Sequence, residues 1–178
     1  MRVLYEFDGK KPQIDPETYV SDLAIVIGDV HIADNCYIGH GVILRGDYGT
    51  IKIASGTAVE EGVIIHAPPQ ETCKIGKRVT MGHGAIIHGT EIGNYAVIGM
   101  GAILSIRSII DEGSIIAEGS IVKMNQKIPS GVVAAGNPAR VIRPVHEQDQ
   151  KLWNYGKQLY IDLAHKYRTQ GMIPLSKQ

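Results

Sequence analysis

The chain is poor in large aromatics, with one Phe and one Trp among 178 residues. A core built on Phe and Trp is therefore excluded, and aliphatic side chains must fill the interior. Cysteine is almost as scarce: Cys36 and Cys73 are too few for a disulfide framework. Neither sign of charge is in surplus, since 18 Lys and Arg balance 18 Asp and Glu. That balance leaves no electrostatic footprint for nucleic acid or an anionic membrane, and neither partner is expected. No apolar run approaches the ~20 residues of a membrane span. The opening residues, MRVLYEFDGKK, lack the apolar core of a secretory signal, so a cytoplasmic protein is expected. What is plentiful is glycine, at 21 residues, which implies many tight turns.

Aliphatic residues recur on a step of six, as in Val20, Val26, Ile32, Ile38 and Leu44, and again in Ile110, Ile116, Val122 and Ile128. The residue two before each is usually small, for example Ala24, Cys36, Ala85 and Ala102. A period of six is neither the 3.6 of a helix nor the 2 of a half-buried strand. It is the mark of a parallel β-helix of hexapeptides. Three hexapeptides close a triangular coil, and residues one coil apart stack at ~4.7–4.9 Å. Each large aliphatic then points into the prism and contributes roughly 1.5–3 kcal/mol gross. About six coils fit between Val20 and Ala134.

The step breaks in four places. Leu44 to Ile53 is nine residues, around Asp47-Tyr48-Gly49, and Ile65 to Ile75 is ten, holding Pro68 and Pro69. Ile87 to Ile92 is only five, and after Ile128 the pattern lapses toward Gly136-Asn137-Pro138-Ala139-Arg140, an exit turn. The extra residues are expected to bulge outward at corners of the prism, where loops carry function. Before the repeat, Val3, Leu4, Tyr5 and Phe7 form a short strand, Asp8-Gly9 a turn, and Ile14 a cover for the open end. A helix is expected over about 146–170, with Trp153, Tyr160, Ala164 and Tyr167 on one apolar stripe widened by Leu152, Leu159 and Leu163. Gly171 suits its end, with Pro174 beyond. The expected organisation is one domain: cap and β-helix over 1–145, helix and tail over 146–178.

Three histidines fall in the stretch between the longest break and the shortest. Positions 65, 75, 81 and 87 are successive hexapeptides, so Ile65 and Ile87 share a face one coil apart. His66 and His88, which follow them, should stack on the outside, with Arg45 in the same column one coil before. Two imidazoles at coil spacing can tilt onto one metal with Zn–N at ~2.0–2.1 Å. His83 follows Met81 on the preceding face and should meet such a site only from a neighbouring prism. A three-histidine site completed across a subunit interface follows, repeated three times in a cyclic trimer. His31, His40, His146 and His165 are ordinary surface or packed histidines by default, and Gly-His-Gly at His40 shows that motif alone to be weak. Cys36 and Cys73 take the small inward slot. Gly82-x-Gly84 and Gly99-x-Gly101 do not open a helix and are not dinucleotide loops.

His66, with Gly82-His83-Gly84-Ala85-Ile86-Ile87-His88-Gly89, Leu44-Arg45-Gly46-Asp47 and Gly136-Asn137-Pro138-Ala139-Arg140, resembles the γ-class carbonic anhydrase family over nearly the whole chain. The resemblance implies a left-handed β-helix and a homotrimer with Zn²⁺, or alternatively Fe²⁺ or Co²⁺, at each interface. It implies His66 and His88 from one subunit and His83 from the next as ligands. Arg45 and Asp47 match a pair that makes interface salt bridges beside the metal. Glu60 stands where active members usually have Gln, and Glu61 where the family usually has Asp; both are departures. The family's acidic proton-shuttle loop has no counterpart, and in the short 67–74 bulge Glu71 is the stand-in. The implied reaction is a lyase reaction, addition of metal-bound hydroxide to CO2 to give bicarbonate. The rival readings are an acyl-CoA thioesterase or acyltransferase of the hexapeptide-repeat group, and a trimeric non-enzymatic scaffold with a residual metal site.

Overall fold

The computed structural model describes residues 3–173 and 175. Pro174, expected just past the helix, lies outside the described residues. The chain winds into a left-handed parallel β-solenoid of about seven turns, with one C-terminal helix. Each turn lays one strand on each of three walls. The first wall carries Ile64–His66, Ile86–His88 and Ile103–Leu104, and the second carries Thr72–Ile75, Glu91–Ile92 and Ile109–Ile110. The third carries Tyr37–Ile38, Ala58–Val59, Thr80–Met81 and Val97–Ile98.

The inward residues of the six-step are the core. Val26, Leu44, Ile65, Ile87, Leu104 and Val122 are all fully buried on the first wall. The small residue before each strand, such as Ala24, Val42, Ala85 or Ala102, is buried at the turn. Cys36 and Cys73 occupy that slot as free, buried thiols. Burial pushes Cys36 up to about 11 and Cys73 up to about 12. Both are therefore packing groups rather than thiolates.

Two expectations need correction. Residues 3–20 do more than cover the prism end. Val3–Tyr5 and Gln13–Ile14 pair in parallel with Ile25–Ile32, and Tyr19–Val20 pairs with Tyr37–Ile38. They complete a full first coil, because a strand edge left open at the end would expose unpaired backbone. The insertion around Asp47 does not leave the sheet as a loop either. Ile43–Ile53 is one continuous strand that turns the corner, pairing first with Ile64–His66 and then with Thr72–Ile75. Its extra residues form a bulge against Ile25–Ile32, where Gly28 faces Gly46 and Val30 faces Ile51. The close approach needs glycine: a Cβ on Gly46 would lie 2.6 Å from the Asp29 carbonyl oxygen.

The outer columns of the three walls differ. On the first wall Ile25, Ile43, Ile64, Ile86, Ile103 and Ile121 stand in register, one per coil. On the second the column reads Gln13, His31, Lys52, Lys74, Glu91, Ile109, Lys127, a surface suited to water. On the third it reads Tyr19, Tyr37, Ala58, Thr80, Val97, Ile115, and the helix covers it.

The helix spans Glu147–Gln170, with Gly171 at its C-cap at φ 70°. Asp149 accepts from the His146 backbone N–H at 2.8 Å and from Arg143 Nη1 at 2.6 Å, which fixes the first turn. Tyr160, Leu163, Ala164 and Tyr167 pack on Tyr19, Tyr37 and Ala58. Leu152 and Leu159 do not join the stripe; they are 65% and 48% exposed, and Lys157 is buried in their stead. Among the described residues no helix is long and apolar enough to cross a membrane.

Candidate functional site

Strand register brings His88 beside His66 and His66 beside Arg45, all on the outer face of the first wall. The two imidazoles stack with centroids 5.0 Å apart and planes 21° from parallel. Asp47, carried by the bulge, turns back over this column. Its Oδ2 accepts from Arg45 Nη1 at 2.8 Å and its Oδ1 from the Tyr48 backbone N–H at 2.9 Å. Burial acts to raise the Asp47 carboxyl, but the Arg45 guanidinium and the Tyr48 N–H together outweigh it and hold the group below its ordinary value. The Arg45–Asp47 pair is thus closed within one chain.

His66 is the most constrained member. Its Nε2 is buried and has no hydrogen-bond partner. The nearest carboxylate oxygen, Asp47 Oδ1, stands 3.4 Å away, beyond a well-formed N–H···O distance. Burial, with Arg45 and His88 adding to it, lowers the His66 pKa, so the ring is held neutral. A buried, unsatisfied nitrogen costs about 1–3 kcal/mol unless something occupies it. Two stacked imidazoles, one of them with an orphaned buried Nε2, fit a borderline metal such as Zn²⁺.

His83 lies elsewhere. It sits at the corner that leads from the third wall into the first, with Gly84 at φ +69° making the turn. His83 and His88 therefore mark opposite edges of one wall, five residues apart. A turn at His83 and Gly84 and the strand Ile86–His88 separate the two rings, which lie at opposite corners of the wall. Consistent with this, no group of three His, Cys, Asp or Glu able to hold a metal occurs within the chain among the described residues.

Both departures from the family pattern meet His83. Glu61 Oε2 lies 2.9 Å from His83 Nδ1, and Glu60 Oε2 lies 3.1 Å from Nε2. Glu61 is held in turn by the Tyr37 hydroxyl, which donates to Oε1 at 2.6 Å. That hydrogen bond helps keep Glu61 below its ordinary value against the upward push of burial. Burial raises Glu60, which also takes a hydrogen bond from Tyr160 of the helix. Gly39 makes room for this arrangement: a Cβ there would stand 2.7 Å from Glu61 Oε1. Tyr37 and Tyr160 escape sequence reasoning because they lie on a wall and a helix face that read as packing. Glu71 is engaged by Arg107 Nη2 at 2.6 Å, which ties down the 67–74 bulge. Of the remaining histidines, His31 contacts Asp29 at 2.8 Å and His40 contacts Ser21 Oγ at 2.6 Å.

Hexapeptide turns stacked in three walls, with histidines placed by register, define a hexapeptide-repeat β-helix protein. The chain is 38% identical over 167 residues to Protein YrdA of Escherichia coli strain K12, covering 90% of this chain and 91% of that protein. It is 34% identical over 181 residues to Gamma carbonic anhydrase 1, mitochondrial, of Arabidopsis thaliana, covering 98% of this chain and 66% of the plant protein. The chain thus spans about two thirds of the length of that plant relative. A crystal structure of a hexapeptide transferase family protein from Anaplasma phagocytophilum superposes with a TM-score of 0.89 at 34% identity, covering 93% of this chain and 98% of that one. No protein-family model matches the chain. The chain belongs to the γ carbonic anhydrase-like family of hexapeptide-repeat proteins.

Proposed function

We propose that the chain is the protomer of a metal-dependent, carbonic anhydrase-type homotrimer whose site is completed between copies. The observation that carries this is the placement of the histidines on the first wall. One edge holds the His66–His88 stack with its orphaned Nε2; the other holds His83. Between the edges runs the isoleucine column, with Ile64 38% and Ile86 40% exposed in the isolated chain. Six registered isoleucines facing water are an interface rather than a solvent wall. Two different edges of one wall suit a head-to-tail contact, which closes into a ring of three where each copy is turned by a third of a revolution from the last. Each junction then sets His83 of one copy against His66 and His88 of the next.

Bound there, a divalent ion such as Zn²⁺, Fe²⁺ or Co²⁺ supplies Lewis acidity that activates water near neutral pH for addition to CO2. The chain's own groups do the rest. His66 is ready as a neutral donor because burial keeps the proton off it. Glu61 fixes the proton of His83 on Nδ1 and so leaves Nε2 as the ligand atom. Glu60 must yield that Nε2 when the junction forms, and its second partner, Tyr160, retains it at the edge of the site.

A complementation experiment tests the reading. His83→Ala and His88→Ala trimers should each lose most of their metal and their CO2 hydration. Trimers refolded from an equal mixture should regain metal at junctions that pair an intact His83 with an intact His66–His88 stack. Full metal in either single variant, or none in the mixture, would overturn it. An acyl-CoA hydrolysis and acetyl-transfer panel on the same samples separates the rival chemistry: turnover there that persists in both histidine variants favours acyl transfer.

A further inference from the structure

Lys157 sits in the middle of the helix face that packs on the third wall and is 2% exposed. Its Nζ donates to Thr80 Oγ1 at 3.2 Å and to the Ala96 carbonyl at 3.2 Å, and lies 5.9 Å from the centroid of the Trp153 ring. Among the described residues no carboxylate comes within ion-pair reach of it. Burial, with the positive charge of Arg78 adding to it and Glu60 opposing, pushes the amine down to about 7. A buried amine near neutrality is substantially unprotonated.

An unprotonated amine has two N–H groups and one lone pair. Thr80 and Ala96 use both N–H groups. The lone pair is left over, and Lys157 lines a cavity of about 250 Å³ between helix and wall, together with Trp153, Val97, Ile115, Val145 and Asn154. The cavity is apolar along Val97, Ile115, Val145 and Trp153 and carries Glu112 and Asp149 on its lining, so it admits a small uncharged electrophile more readily than an anion.

We infer that Lys157 is a carboxylation site, at which the amine captures CO2 in this cavity as a carbamate. The amine lone pair forms an N–C bond, one C=O π pair moves onto oxygen, and an N–H proton passes to water. No further reactant is required. Arg78, whose charge disfavours the ammonium, favours the carbamate anion; Glu60, and Glu112 and Asp149 at the cavity, act in the opposite sense. Asp149 is already neutralised by Arg143. Lys157 touches none of the candidate metal ligands, although Glu60 acts on both Lys157 and His83; the capture step itself uses no metal.

The protein is equilibrated with ¹³C-bicarbonate at mildly alkaline pH and followed by ¹³C spectroscopy. The carbamate is then trapped by alkylation and mapped to a peptide. A single carbamate resonance is expected, with the trapped adduct on the peptide containing Lys157. It should vanish in Lys157→Met and survive in His88→Ala, which tests the metal reading separately. Absence of an adduct from the wild-type Lys157 peptide at saturating CO2, or an adduct spread evenly over exposed lysines, overturns the inference. Because the mapping uses the wild-type chain, it holds even where Lys157→Met fails to fold.

Discussion

At the residue scale, His83, a metal ligand in the proposed trimer, shows how a hydrogen bond can orient a ring. Tyr37 donates to Glu61, and Glu61 meets His83 Nδ1, so the tautomer is chosen two residues away from any ion. Glu61→Gln keeps the size but removes the charge that orients the ring. Metal affinity should fall roughly 10–100-fold, the usual effect of losing a carboxylate behind a histidine ligand. Competition with a chelator measures this directly, and an unchanged affinity would show that Glu61 does not position His83. Sequence inspection finds Glu61 because it departs from a family pattern, but it cannot find Tyr37. That residue is 24 positions away and reads as one more aromatic on a covered wall.

At the level of single elements, the bulged strand and the helix start are the two special structures. Gly28 holds φ +74° opposite Gly46, and a Cβ there would collide with the Gly46 carbonyl. Gly28→Ala should cost roughly 1–3 kcal/mol in crowding, beyond the roughly 1–2 kcal/mol of a left-handed backbone. Urea unfolding reads the loss, and a variant as stable as wild type would mean that the bulge relaxes freely. The helix start depends on Asp149, whose carboxyl Arg143, together with the His146 N–H, holds well below its ordinary range. A depressed carboxyl stabilises the fold above its unfolded pKa of about 3.9 and stops doing so as pH falls through the folded value. Amide exchange at Gln150 and Lys151, taken relative to the intrinsic rate at each pH, should therefore rise in wild type below about pH 4. In Asp149→Asn it should be fast already at neutral pH and insensitive to acid. Equal protection in the two proteins at neutral pH would remove Asp149 from this role.

On the scale of the molecule, the three outer columns differ: the helix covers one, one is polar and suited to water, and one is the isoleucine wall assigned to another copy in the proposed trimer. Ile64→Glu with Ile86→Glu places like charges at the centre of the isoleucine column without touching the inward Ile65 and Ile87. The expected product is a folded monomer with a native circular dichroism spectrum, no metal and no CO2 hydration. Light scattering that still reports a trimer would place the interface on a different wall.

The six-residue step by itself determined the solenoid, its inward aliphatics and the alignment of His66 with His88, because stacking converts sequence phase directly into neighbours. It also placed His83 out of their reach on the same chain. What only the tertiary structure decided are matters the phase does not encode. Residues before Val20 form a whole coil, and the Asp47 insertion stays in the sheet, because backbone hydrogen bonds must be met wherever strands abut. Lys157 interrupts an apolar stripe, and Leu152 and Leu159 turn outward, because the helix docks on a wall whose column holds Thr80. Those choices depend on contacts between segments far apart in the chain, and no local period records them.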